Sequence, residues 1–156
     1  MKYRRLSKEQ FEALHEAFSQ FLASQSIDQH KWADLKAAES ELIDRQLDAF
    51  SDLVWEATLR KTIYIDHLSP GAYFGFHAGQ QSLRMVGVKL PLDLDFNAPE
   101  TWQWLETHWE DQGVSFYMDQ KPYTRPRTEV LFELIEKGGV LAESDNFERL
   151  SKSFPS

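Results

Sequence analysis

A switch in the spacing of apolar residues near position 62 constrains this 156-residue chain more than any other feature. From Ser7 to Lys61 the apolar side chains recur every three or four positions, the spacing that lines one face of a helix. Phe11, Leu14, Phe18, Phe21 and Leu22 form a first stripe, opened by Ser7 and Gln10 in capping-box spacing and ending near Ser24–Ser26. Asp28 caps a shorter helix with Trp32 and Leu35. Ser40 opens a longer one carrying Ile43, Leu47, Phe50, Val54 and Ala57. Glu41–Arg45 and Glu56–Arg60 add i,i+4 pairs with the acid on the N-terminal side, the better order.

Beyond residue 61 the pattern belongs to strands. Thr62-Ile63-Tyr64-Ile65 is β-branched and aromatic, and Ser69-Pro70-Gly71 marks a turn. Tyr73–Phe76 and Leu83–Val88 follow, with Gly79-Gln80-Gln81 as the hairpin loop between them. Asn97 is placed to cap a helix with Pro99 in its first turn, bearing Trp102, Leu105 and Trp109 and ending at Gly113. Val114–Met118 reads as a fourth strand. A basic loop from Lys121 to Arg127 leads into a helix carrying Val130, Leu131, Leu134 and Ile135, stopped by Gly138-Gly139; Ser144 caps a last short helix. Strands segregated from a helical half predict an α+β fold: N-terminal helices, a small antiparallel meander, then helix, strand and helix. One domain over 1–156 is expected, helical over 7–61 and mixed over 62–152.

Composition narrows the chemistry. Apolar residues make up 42% and aromatics 13%, enough for a core without covalent support, and there are no cysteines. Disulfides, thiolate metal sites and a cysteine nucleophile are thereby excluded. The basic start Met1–Leu6 is followed by Lys8, Glu9, Gln10 and Glu12 rather than an apolar run, and no stretch reaches membrane-spanning length. These features predict a cytoplasmic protein without a membrane partner. A net charge of −8 argues against nucleic acid, whose binding rests on neutralising phosphates.

Three groups of polar residues merit attention. Lys121, Arg125, Arg127 and Thr128 gather cations just before a helix start, where free N–H groups favour an anion. Asp44, Asp48, Asp52 and Glu56 recur every four residues on the long helix. Each step drifts about 40°, so adjacent pairs can meet a cation or a basic partner but the four do not converge. Trp104 falls off the stripe of its helix and joins this series as a partner surface. Asp66 and His67 end the first strand and His77 ends the second, so a short turn could bring them together as metal ligands or an acid–base pair. No histidine pair has helical metal spacing, and neither G-x-S-x-G, G-x-G-x-x-G nor a Walker A loop occurs. No resident metal or cofactor is expected.

The segment Met1-Lys2-Tyr3-Arg4-Arg5-Leu6-Ser7-Lys8-Glu9-Gln10-Phe11 resembles a family of short proteins from Bacteroidota bacteria that carries a domain-of-unknown-function label. Phe50–Glu56, Tyr64–Pro70 and Trp102–Leu105 are similar to it as well. The resemblance implies a bacterial cytoplasmic origin and supplies neither an activity nor catalytic residues. The residues themselves favour a non-catalytic interaction or regulatory module with a protein partner or a second copy of itself. A small-ligand or metal-dependent enzyme built on Asp66, His67 and His77 is the alternative.

Overall fold

Ser7 opens the first helix of the computed structural model as its spacing with Gln10 predicts: Ser7 Oγ accepts from the Gln10 N–H at 3.2 Å, and Gln10 Oε1 from the Ser7 N–H at 2.8 Å. Residues 1–153 are described, and the chain divides into two compact units, Met1–Arg60 and Lys61–Ser156. The division falls where the apolar period changes.

The first unit contains α1 (Lys8–Ala13), α2 (His15–Ser24), α3 (Gln29–Ala37) and α4, which runs over Glu41–Lys61. The single first helix predicted from the stripe is two. Leu14 leaves helical geometry at φ −107°, ψ 22°, and its N–H is shared between the Gln10 and Glu12 carbonyls. Asp28 caps α3 through the Lys31 N–H at 2.7 Å. Two of the helices end on a non-glycine residue in the left-handed region, Ser26 (φ 62°) after α2 and Glu39 (φ 50°) after α3. In each case the next N–H, from Ile27 or Ser40, reaches back to the Leu22 or Leu35 carbonyl, the Schellman closure. The predicted stripes meet in an aromatic cluster, with Phe18 5.0 Å from Phe50 and 5.4 Å from Trp32, ring centre to ring centre.

The second unit contains β1 (Tyr64–Ser69), β2 (Ala72–Ala78), β3 (Ser82–Lys89), α5 (Pro99–Thr107), β4 (Ser115–Pro122), α6 (Arg127–Glu136), β5 (Val140–Ala142) and α7 (Asp145–Ser151). The strands form one antiparallel sheet in the order β4-β3-β2-β1-β5, so the chain is α+β as its pattern predicts. Gly71 takes φ 71° in the β1–β2 turn, and a side chain there would meet the Leu92 carbonyl at 2.6 Å. Tyr73, Val86 and Val88 on one face of the sheet pack with Trp102 and Leu105 of α5 and with Phe147 and Leu150 of α7. The C-terminal turn of α6 meets the other face, where His67 Nε2 lies 3.1 Å from the Lys137 carbonyl and Gly139 sits under Ile65.

Three boundaries differ from expectation. Ala98, not Asn97, is the cap of α5, because Asp95 already accepts the Asn97 N–H at 2.8 Å and draws it into a turn. That helix stops at Thr107 rather than Gly113, whose φ of 92° serves the approach to β4. Strand β4 continues through Pro122, so Lys121 stands in a strand rather than a loop. The short β5 has no counterpart in the sequence reading.

Candidate functional site

The register of the β1–β2 hairpin decides the first group. Tyr64 pairs with His77 and His67 with Phe74, so the two histidines lie three rows apart and on opposite faces of the sheet. Asp66 shares the His77 face but is buried, at 6% exposure. Its two oxygens accept from the Tyr73 hydroxyl at 2.9 Å and from Asn146 Nδ2 at 3.1 Å. Burial raises the Asp66 pKa above its ordinary value against these two hydrogen bonds. Asp66, His67 and His77 therefore do not assemble into one centre. Among the described residues no group of three or more acids and histidines is placed to hold a metal ion.

The basic segment is spent inside the second unit. Arg125 pairs with Glu133, whose pKa it lowers by hydrogen bonding, and Lys121 Nζ lies 3.6 Å from Asp119. Arg127 gives its guanidinium to backbone: Nη2 donates to the Thr62 and Ala78 carbonyls and Nε to that of Gly79 at 3.1 Å. It ties the turn of the β2–β3 hairpin to Thr62, two residues before β1. Thr128 is half-buried in the first turn of α6.

The acidic series on α4 is read by the chain's own start. Residues 2–6 run antiparallel along α4. The Lys2 and Tyr3 N–H groups donate to the two Asp52 oxygens at 2.7 and 2.8 Å. The Tyr3 hydroxyl and Lys2 Nζ reach Glu56, and Arg5 reaches Asp48 at 2.7 Å and Asp44 at 3.2 Å. The Leu6 N–H closes on Ser51 Oγ at 3.0 Å. Like charges four apart on a helix repel by a few tenths of a kcal/mol per pair, and this strap offsets that cost. Trp104 is half-buried and stacks flat on His108, with centroids 4.1 Å apart.

Two features that sequence reasoning missed lie in the sheet. The first is β4, an eight-residue edge strand exposed along almost its whole length. The Tyr123 N–H bonds the Gln81 carbonyl in continuation of the β3–β4 register, so odd-numbered residues of β4 face β3. The backbone groups of Phe116, Met118, Gln120 and Pro122 therefore point outward. Met118 is 57% and Tyr117 38% exposed.

The second feature is a row of polar side chains across the sheet. The registers place Tyr64, His77, Arg84 and Gln120 side by side on the face that carries α7. His77 lies 5.1 Å from the Tyr64 ring and 5.9 Å from that of Phe147, and Arg84 sits over Phe147 at 5.6 Å. Glu148 of α7 accepts from the Tyr64 hydroxyl at 3.3 Å. Residue spacing within any one segment carries no trace of this row, because each member comes from a different strand.

No described helix is long and apolar enough to cross a membrane. Comparison with curated proteins gave no match, and comparison with solved structures gave none either. Residues 1–154 match the family of unknown function DUF6495, and the chain belongs to that family.

Proposed function

We propose that this protein is a non-catalytic assembly module of the bacterial cytoplasm that pairs with a second copy of itself through the edge of β4. The supporting observation is the eight-residue exposed edge of β4, where the Met118 backbone groups face outward and the Gln120 N–H turns to Asp119 Oδ1 at 2.9 Å. Unpaired strand edges are templates for strand addition; Asp119, Lys121 and Pro122 guard one end of β4, while Ser115–Met118 carry no charge. This edge is self-complementary. An antiparallel pairing centred on Met118 sets Met118 against its own copy and Phe116 against Gln120, with the Gln120 N–H exchanging Asp119 Oδ1 for a carbonyl of the copy. Tyr117 then faces Asp119 of the copy, and no like charges stand opposite each other. The absence of cysteine, with no membrane-crossing helix described, fits the cytoplasmic assignment.

Light scattering after size exclusion tests the reading. Wild type runs as a dimer at high concentration, and Met118→Lys, which opposes two ammonium groups at the centre of the pairing, runs as a monomer. A wild-type protein that stays monomeric across the accessible concentration range rejects it.

A further inference from the structure

Four arginines of this acidic chain find a carboxylate, and the exposed Arg149 lies over the Trp102 ring. Arg5 bonds Asp48 and Asp44, Arg45 pairs with Glu41, Arg60 with Glu56 and Arg125 with Glu133. Arg127 is held by backbone carbonyls. Arg84 differs. It is half-buried, yet its guanidinium makes neither a hydrogen bond nor an ion pair with any described residue. Its contact is with the face of the Phe147 ring, which draws on the positive charge but satisfies none of the five N–H donors. Withdrawing a guanidinium from water without a counter-charge is unfavourable, and the arrangement is stable in proportion to what its donors can bind.

The surroundings of Arg84 are those of a recognition site. His77 is its direct cross-strand partner, half-buried, with no hydrogen bond from its ring nitrogens to any described residue. Gln120 flanks Arg84 on the other side and turns its amide to Ser82 Oγ at 3.1 Å. Opposed residues in such a row have Cβ atoms about 5 Å apart, so a group seated on Arg84 touches both neighbours. The positive field of Arg84 reaches Tyr64: burial and Glu148 raise the phenol's pKa, and Arg84 opposes them. Phe147 holds the guanidinium from behind, and Gly75 and Val86 in the next row are buried. Arg84 and His77 thus stand half-buried beside a buried apolar row, a few polar groups against apolar surroundings.

We propose that Arg84 and His77, flanked by Gln120, form a binding site for the oxyanion group of a small ligand, a phosphate ester or a carboxylate. Arg84 supplies the forked donor pair that matches two oxygens of such a group, and His77 supplies a third donor through a ring N–H. Glu148, facing the same row from α7, sets the limit: it repels an anion and disfavours highly charged ligands. Arg84 and His77 stand on β3 and β2, away from the paired edge, and only the flanking Gln120 belongs to β4.

Titration of the full chain with inorganic phosphate and, separately, with acetate, followed by NMR of the His77 ring and the Arg84 Nε–H, tests the proposal. Saturable shifts at both groups are expected, and the tighter of the two anions identifies the ligand class. Arg84→Gln weakens binding at least about tenfold, the loss expected for a charge-assisted pair. Arg84→Lys, which keeps the charge without the fork, weakens it less. Arg149→Gln, which removes an exposed cation from α7 outside the row, leaves binding unchanged. Should Arg84→Gln fail to fold, Arg84→Lys decides. Equal affinities in wild type and the folded Arg84 variant, or no shift at His77 with either anion, overturn the proposal.

Discussion

Asp66 is a carboxylate that the fold has enclosed, and its chemistry follows from that enclosure. Replacing it by Ala leaves the Tyr73 hydroxyl, itself fully buried, without its acceptor. A loss of about 1–3 kcal/mol is expected in urea denaturation. Asp66→Asn keeps an acceptor for Tyr73 and separates charge from shape. Because the folded-state pKa is raised, the native state holds the proton more tightly than the unfolded one. Stability therefore declines as pH rises from the ordinary carboxylate value of 3.8 through the raised folded value, then levels off. That decline is absent in Asp66→Asn, and an unchanged slope in the variant refutes the assignment. Arg127→Ala, which abandons several carbonyls at once, costs about 1.5–3 kcal/mol by the same measurement. Sequence reading singled out both residues, yet assigned Asp66 to a metal or acid–base centre and Arg127 to an anion site. Residue type is legible from one chain; whether a charged group faces solvent or its own backbone depends on contacts dozens of positions away.

Among the elements, the strap over residues 2–6 and the helix ends carry the clearest consequences. Hydrogen bonding from the Tyr3 hydroxyl, with help from Lys2, lowers the Glu56 pKa. Its contribution is complete above the ordinary value of 4.5 and disappears as pH falls through the lower folded value. Amide-exchange protection at Tyr3 and Leu6, whose N–H groups bond Asp52 and Ser51, should fall in that acid window while the α4 interior keeps its own. The Schellman turn after α3 offers a second test. Glu39→Gly removes a side chain from the left-handed region and is expected to stabilise by about 0.5–1 kcal/mol in thermal melts. Most elements are legible in the sequence: the capping box, the Asp28 cap, the long α4 and the β1–β3 meander follow from local periodicity and turn chemistry. The strap is not, since five residues outside any helix or strand carry no period. The available clue was complementarity between Lys2, Arg4 and Arg5 and a row of acids some fifty positions away. Three-residue β5 was invisible for a similar reason: its ladder comes entirely from β1.

For the molecule as a whole, the proposed self-association would link stability to concentration. Binding that favours the folded state raises the melting midpoint as protein is added. Wild type should show that rise and Met118→Lys should not; identical concentration profiles would count against pairing through β4. The two margins of the sheet are also unequal. Val140–Ala142 offers only three residues at one side, while Pro122 presents a position without an N–H near the end of the other. Matching like edge to like edge closes after a single union, whereas joining opposite edges would continue without end. The short side and the terminal proline together favour a pair that stops growing, and so guard this chain against becoming a fibre.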